Sequence, residues 1–131
     1  MFESLDYLYV PTRNIDASIK YYTEVLKGKL LWKIHELDTW VAGIQLSRRG
    51  PVVLLADHLK GEFPIHIYKV KDITQAVEEL KAKGWREESG LIEIPNGPCY
   101  TFRDPAGVRL AIYQNKRPKV DKKFKGRIDS T

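Results

Sequence analysis

The side chains of this sequence that most often carry out chemistry are three histidines and one cysteine. His58 follows Asp57 in a polar stretch, and a histidine among acidic residues is a pattern that can hold a cation. Polar loops collect such residues in any protein, so this pattern alone does not indicate a metal site. Cys99 follows Pro98 with no recognisable base beside it, which favours a small buried thiol over a nucleophile. These side chains therefore leave the catalytic residues unknown.

Other chemical motifs are absent from the sequence. It contains no helix-borne His-Glu-x-x-His motif, no cysteine pair, no glycine-rich phosphate loop and no nucleophile elbow. What it does contain is seven tyrosines, four phenylalanines and three tryptophans, several of them in strand-like segments. The faces that these segments present therefore matter more than any single motif.

The elements that position these groups repeat along the chain. An alternating, aromatic-rich strand over residues 5–10 precedes a helix that Asn14 caps, and the same order returns with a strand over 65–70 and a helix that Asp72 caps. Three strand-like segments follow each helix, at 29–37, 40–46 and 52–56 and again at 90–94, 99–103 and 108–114. This pattern predicts an α+β fold of two tandem β-α-β-β-β modules, residues 1–60 and 61–114, which form a curved mixed sheet around a cleft.

Two stretches resemble the glyoxalase and bleomycin-resistance proteins of the vicinal oxygen chelate superfamily. One is Val-Pro-Thr-Arg-Asn-Ile-Asp-Ala-Ser-Ile-Lys-Tyr-Tyr at residues 10–22, and the more specific one is Phe-Arg-Asp-Pro-Ala-Gly at residues 102–107. The resemblance covers about residues 5 to 114. It implies the tandem fold and, together with the small size of the sheets, a homodimer. It does not fix a function, because the superfamily contains lyases, epimerases, dioxygenases, thiol transferases and binding proteins.

The resemblance also locates the metal positions of the superfamily, where metal-using members carry His or Glu on the first and last strand of each half. On this chain those positions are Tyr7, Leu54, Ile65 and Ala111. Three of these side chains have no donor atom, and a neutral tyrosine binds a divalent ion poorly. His66 adjoins Ile65 but should face the helix, because neighbouring side chains of a strand point to opposite faces. We therefore predict no metal site and no cofactor.

Alternation from these positions predicts an inner face of apolar and aromatic side chains. The predicted ligand-binding residues on it are Tyr7, Tyr9, Leu54, Ile65, Ile67, Tyr100, Phe102, Arg109, Ala111 and Tyr113. The same side chains could instead fill the interior as core. The sequence favours neither the binding face nor the core over the other. Arg109 is the charged member, and its guanidinium can pair with a ligand carboxylate or with an acidic side chain of the protein.

The net charge of +5 comes from the end of the chain. Residues 1–113 contain 15 basic and 15 acidic side chains, whereas residues 114–131 contain seven and two. We predict a neutral single domain over residues 1–114 and a flexible, basic C-terminal tail over residues 115–131. The tail has no accompanying basic and aromatic surface, which argues against a nucleic-acid partner. The sequence shows no secretory signal and no apolar run of roughly 18 residues, so we expect a cytoplasmic location and no membrane partner.

Three functions remain open. The first is a metal-independent binding protein for a small apolar or aromatic molecule. The second is a superfamily enzyme of the lyase, isomerase or dioxygenase type that lacks the usual metal site, with Tyr7, Tyr9 or Tyr113 as proton donor, or that uses an unrecognised metal site. The third is an interaction module that uses the basic tail. Whether the chain is an enzyme is left open.

Overall fold

A computed structural model describes residues 1–59, 61, 63–85 and 87–130 of the chain. Its first half contains β1 (Phe2–Pro11), α1 (Ile15–Lys20) with a following π-helical turn (Tyr21–Val25), β2 (Lys29–Glu36), β3 (Thr39–Gln45) and β4 (Val52–Ala56). Its second half contains β5 (Ile65–Val70), α2 (Ile73–Ala82), β6 (Glu87–Ile94), β7 (Gly97–Arg103) and β8 (Arg109–Tyr113), and α3 (Val120–Phe124) follows. The predicted β-α-β-β-β order is confirmed in both halves. Among the described residues, no helix is both long and apolar enough to cross a membrane.

The chain divides into two compact units, each assembled from separate stretches of sequence. The N-unit comprises Tyr7–Pro64 with Lys123–Thr131, and the C-unit comprises Met1–Asp6 with Ile65–Lys122. The N-unit contains α1, residues 7–11 of β1, and β2 to β4, whereas the C-unit contains α2, residues 2–6 of β1, and β5 to β8.

The N-unit sheet has the strand order β2-β3-β4-β1, in which β1 is parallel to β4 and the other neighbours are antiparallel. Helix α1 begins where the Asn14 side chain accepts a hydrogen bond from the Ala17 N–H at 3.0 Å, as a helix cap does. The helix buries Ile15 against Val53 and Leu55 of β4, together with residues of β3. The opposite face of this sheet is called the α1-distal face below.

The C-unit sheet has the strand order β5-β8-β7-β6, with β5 parallel to β8. Helix α2 begins where the Asp72 carboxylate accepts a hydrogen bond from the Gln75 N–H at 3.1 Å, the same cap as in the N-unit. The helix covers a cluster that includes Val70, Phe102 and Ile112. Cap, helix and strand pairing therefore repeat in both units, as the internal repeat of the sequence predicts.

The residues after Gln114 make contacts that their polar, basic composition did not lead us to expect. The N–H groups of Lys116 and Arg117 both donate to the Asn96 carbonyl, at 2.9 and 3.0 Å. Residues 123–130, called the C-terminal segment below, run beside β2, where the Lys33 N–H donates to the Arg127 carbonyl at 2.8 Å. Main-chain hydrogen bonds thus hold this part of the predicted tail, while the domain boundaries themselves stay a prediction.

Candidate functional site

Four positions form one row across the N-unit sheet. The strand register pairs Tyr9 with Leu54, Leu54 with Gly43, and Gly43 with Trp32. Because Leu55, the strand neighbour of Leu54, packs against α1, the row lies on the α1-distal face. Tyr9 and Leu54 are only partly buried. The row therefore presents aromatic and apolar area, with a phenolic hydroxyl at one end.

The row is continuous because Gly43 has no side chain. A Cβ atom at Gly43 would lie 2.6 Å from Cε2 of Trp32 and 2.9 Å from its Nε1 and Cζ2, so the indole occupies the space over the glycine. Trp32 also contacts Phe124 of the C-terminal segment, with ring centroids 5.6 Å apart. Trp32 is 9% exposed and Phe124 is 8% exposed. The Trp32 end of the row is thus packed, while the Tyr9 end keeps accessible area.

The Tyr9 end of the row also carries a histidine. The Tyr9 hydroxyl and Nε2 of His58 are hydrogen-bonded at 3.0 Å, and the rings meet edge to face with centroids 5.8 Å apart. His58 lies two residues after the end of β4, the parallel neighbour of β1, where Ala56 pairs in register with Pro11. Asp57 fixes this turn, since its carboxylate accepts the Trp40 N–H at 3.0 Å. The sequence alone predicts no role for His58, and the signal that could have found it is the parallel pairing of β1 with β4.

Tyr7, the remaining predicted residue of the N-unit, lies two residues before Tyr9 and pairs in register with Val52. By alternation it faces the same side of the sheet as Tyr9. Tyr7 is 7% exposed, so it is largely covered. The structure therefore brings Tyr7, Tyr9 and Leu54 together on one face, with Tyr9 and Leu54 as its accessible members.

In the C-unit, four predicted residues share the face opposite α2. Ile67 pairs with Ala111, and by alternation Ile65 and Tyr113 face the same side. All four are at most 4% exposed. The Ile67–Ala111 pair is the counterpart of the Tyr9–Leu54 pair in the N-unit, but it is buried.

Tyr100 and Phe102 lie on the other face of the C-unit sheet, so the common face predicted for them is wrong. The antiparallel register pairs Tyr100 with Ile112 and Phe102 with Leu110, and all four side chains belong to or pack against the α2 cluster. Trp85 also meets both rings edge to face, at 6.4 and 5.3 Å between centroids. They are core residues of the helix side.

Two polar members of the predicted set have protein partners. The Tyr113 hydroxyl donates a hydrogen bond to the carboxylate of Asp6. Arg109 lies 3.9 Å from the carboxylate of Glu88, which also accepts a hydrogen bond from Arg103. The acidic partner that the sequence offered as an alternative to a ligand for Arg109 is therefore Glu88.

A separate groove of about 380 Å³ lies at the start of α2 in the C-unit. Its lining includes Met1, Val70, Asp72 and Glu79, and none of the ten predicted ligand-binding residues. The Asp72 carboxylate in this groove accepts the capping hydrogen bond of α2. We assign no ligand to it.

Comparison with protein-family models identifies the family of this chain. The family model of the Glyoxalase/Bleomycin resistance protein/Dioxygenase superfamily matches residues 4–112. The chain belongs to this superfamily. The resemblance stated from the two sequence stretches is thereby confirmed. None of the curated proteins matches the chain.

Solved structures of this fold include a methylmalonyl-CoA epimerase from Mycobacterium tuberculosis, with 15% identity over 91% of this chain and 92% of that chain and a TM-score of 0.74. A variant of the Streptomyces coelicolor methylmalonyl-CoA epimerase shows 11% identity over 89% and 100%, with a TM-score of 0.73. A hypothetical protein from Bacillus halodurans shows 18% identity over 87% and 95%, with a TM-score of 0.72. At these identities the likeness confirms the glyoxalase/bleomycin-resistance-like fold.

The four metal positions of the superfamily do not fit a divalent ion in this chain. Leu54, Ile65 and Ala111 offer no donor atom, and the phenol of Tyr7 is largely buried. His66 pairs in register with Leu110, which packs against the α2 cluster, so the histidine faces the helix side. Within residues 1–59, 61, 63–85 and 87–130, no group of three or more His, Cys, Asp or Glu side chains is placed to hold a metal.

Proposed function

We propose that this superfamily member binds a small, largely apolar or aromatic molecule on the α1-distal face of the N-unit, without a divalent metal. The observation that carries the proposal is the row from Tyr9 to Trp32, whose accessible end combines apolar area with a Tyr–His hydrogen bond. Binding sites for small organic molecules combine mostly apolar surface with a few polar groups that fix orientation. Leu54 supplies the first here, and the Tyr9–His58 pair supplies the second.

The dimensions of the row favour a flat molecule of one or two fused rings. Neighbouring strands are about 4.8 Å apart, so the four positions span about 14 Å. Trp32 already covers Gly43, which leaves the part of the row from Leu54 to Tyr9 and the adjoining His58. A planar ring over Leu54 can direct a carboxylate or hydroxyl group to the Tyr9–His58 pair.

Relatives of the same fold support a small-molecule role. The Streptomyces coelicolor epimerase was crystallised with 2-nitronate-propionyl-CoA, so this fold accommodates an organic ligand. We do not extend the acyl-CoA class to this chain, because its metal positions carry other residues. A homodimer and a cytoplasmic location are parts of the proposal that rest on the sequence analysis, and sedimentation analysis tests the first.

The proposal is tested by following the indole N–H signals of the three tryptophans by NMR during titration with 2-naphthoate. The Trp32 signal is identified as the one that is missing from the spectrum of Trp32→Phe. Its chemical shift is expected to change and to reach a plateau as the ligand concentration rises. Trp40 packs on the α1 side of the N-unit and Trp85 packs in the α2 cluster, so their signals are expected to stay in place. If 2-naphthoate, naphthalene and indole-3-acetate all leave the Trp32 signal unchanged, the proposed binding face is wrong.

A matched pair of tyrosine variants tests the polar end. Tyr9→Phe removes one hydrogen-bonding group, worth about 1 kcal/mol, and should weaken 2-naphthoate binding about fivefold. Tyr21→Phe makes the same change on the exposed surface after α1 and should leave the affinity unchanged. Equal affinities for Tyr9→Phe and the wild type would remove Tyr9 from the site.

The Tyr9–His58 hydrogen bond also favours a second candidate function, a metal-free enzyme of the superfamily. A phenol hydrogen-bonded to an imidazole can exchange a proton with a bound substrate, because both groups can donate and accept a hydrogen bond. Tyr113 is less suited, since it is 1% exposed and its hydroxyl donates a hydrogen bond to Asp6. In D2O, an enzyme would exchange the proton next to the carbonyl of a bound ketone or thioester, and His58→Gln would stop the exchange. Saturable binding without exchange would identify a binding protein.

Elemental analysis tests the metal-free part of both candidates. Protein purified without chelators is expected to carry less than stoichiometric Ni, Zn, Mn or Fe. A stoichiometric metal that is lost on mutation of Tyr7 would contradict the register on which the proposal depends.

A further inference from the structure

The C-terminal segment is added to the N-unit sheet as an edge element beside β2. The Gly126 N–H donates to the Leu31 carbonyl and the Asp129 N–H donates to the Lys33 carbonyl, each at 2.8 Å. These hydrogen bonds lie on either side of the one from the Lys33 N–H to the Arg127 carbonyl. The segment is therefore held by its main chain next to the strand that carries Trp32.

Charged side chains fix the segment further. Arg127 donates to Glu36 at 2.9 Å and to both carboxylate oxygens of Asp129 at 2.9 Å. The Asp129 carboxylate also accepts the His35 N–H at 2.8 Å. A guanidinium that binds two carboxylates in fixed geometry orients the backbone that bears it. Phe124, three residues before Arg127, is thereby presented to Trp32.

Phe124 is placed where it closes the row. Its ring contacts Trp32, whose indole occupies the space over Gly43. Without the phenyl ring, the indole loses packing on one side and is free to leave Gly43. The accessible part of the row would then lengthen by one strand spacing of about 4.8 Å, which accommodates about three to four methylene groups.

We propose that Phe124 sets the maximum length of the ligand, and that the C-terminal segment serves to hold it in place. Phe124 is thus a specificity-determining residue that acts through Trp32. The inference rests on the proposed function, because it concerns the same binding face. It adds the class of ligand, a short aromatic or apolar molecule without a long chain at the end distant from Tyr9.

The test is a homologous series of 2-naphthoates with 6-alkyl groups from methyl to hexyl, measured by calorimetry and by the Trp32 indole signal. For the wild type we expect affinity to fall once the alkyl group reaches Trp32. For Phe124→Ala we expect it to rise about fourfold per methylene that becomes buried, over three to four methylenes. The affinity for 2-naphthoate itself should change by less than about twofold, since the polar end is untouched.

Two further variants separate this effect from general destabilisation. Phe63→Ala removes a phenyl ring that is 77% exposed in the same unit. It should keep the wild-type length profile, which is the dependence of affinity on the length of the alkyl group. Arg127→Ala loosens the segment without shortening Phe124 and should shift the profile in the same direction as Phe124→Ala. If Phe124→Ala is unstable, Phe124→Leu should give an intermediate profile.

The outcomes distinguish the inference from the proposed function. If wild type and Phe124→Ala bind the series with the same length profile, the inference is wrong and the binding face stands. If neither binds any member, the proposed function fails, and the inference fails with it. A shift toward longer homologues in Phe124→Ala and Arg127→Ala, with none in Phe63→Ala, supports it.

Discussion

Gly43→Ala is the substitution that most directly tests the construction of the row. The new methyl group would lie 2.6 Å from Cε2 of Trp32, so the indole must move by about 1 Å to restore van der Waals contact. Because Trp32 is 9% exposed and packs against Phe124, we expect an overpacking cost of about 1–3 kcal/mol. Gly43 has no positive φ, so alanine regains about 0.4–1 kcal/mol by restricting the unfolded chain. The net destabilisation should therefore lie between about 0 and 2.6 kcal/mol.

A double-mutant cycle with Trp32→Ala measures this conflict by urea denaturation. Once the indole is gone, Gly43→Ala should be neutral or stabilising by about 0.4–1 kcal/mol, which gives a coupling energy of about 1–3 kcal/mol. If Gly43→Ala changes the free energy of unfolding equally in both backgrounds, within about 0.5 kcal/mol, the position of the Trp32 indole does not require a glycine at residue 43. The row would then not be continuous from Leu54 to Trp32.

Two further predictions concern titrating groups. Burial raises the pKa of Cys99 from 9.0 to about 12, so the unfolded thiol ionises first and stability falls as the pH rises from 9 toward 12. Between pH 8 and pH 10, Cys99→Ala should therefore lose about 1.4 kcal/mol less stability than the wild type in urea denaturation, and equal losses would contradict this. The hydrogen bond from Arg127 is the largest cause that holds the pKa of Asp129 below its ordinary value of 3.8. The contribution of this carboxylate to stability is therefore fully present above that pH and is lost as the pH falls through the lowered pKa. In the wild type, hydrogen exchange at the Gly126 N–H, normalised for the intrinsic effect of pH, should accelerate on acidification. In Asp129→Asn the exchange should be fast at every pH. If the two proteins show the same dependence on pH, the Asp129 carboxylate does not stabilise the segment.

The repeated elements could be predicted from sequence because their signals are local. Asn14 and Asp72 each precede an apolar stripe of helical spacing, and each caps its helix in the structure through the N–H three residues later. The strands that follow differ from their predicted bounds by a few residues at most. Neither cap nor stripe needs information from the rest of the chain.

The face of Tyr100 and Phe102 depends on a pairing that alternation within one strand does not contain. The turn after β7 is closed by hydrogen bonds between Asp104 and Val108 and between Gly107 and Asp104, each at 3.0 Å. This turn sets the register that pairs Phe102 with Leu110. A shift of one residue in that register reverses the face of every side chain in β7, so the turn had to be resolved before the core could be predicted.

The contacts that complete the candidate site are distant in sequence. Tyr9 and His58 are 49 residues apart, and Arg127 and Glu36 are 91 residues apart. By composition, Arg127 belongs to a flexible basic tail. In the structure its guanidinium is paired with Glu36 and Asp129, and Phe124 three residues earlier contacts Trp32. Net charge describes a segment but does not show which of its charges are paired.

The two units differ at equivalent positions of the duplicated fold. Tyr9–Leu54 and Ile67–Ala111 occupy equivalent pairs on parallel neighbouring strands, yet the first pair is partly accessible and the second is at most 2% exposed. The first pair also adjoins a hydrogen-bonded histidine, whereas the second consists of side chains without polar atoms. In superfamily members that bind a metal, both halves must contribute ligands, so both copies of the inward-facing positions are constrained. In this chain neither copy carries such ligands, which agrees with our proposal that the C-unit copy is core and that the N-unit copy provides the binding surface.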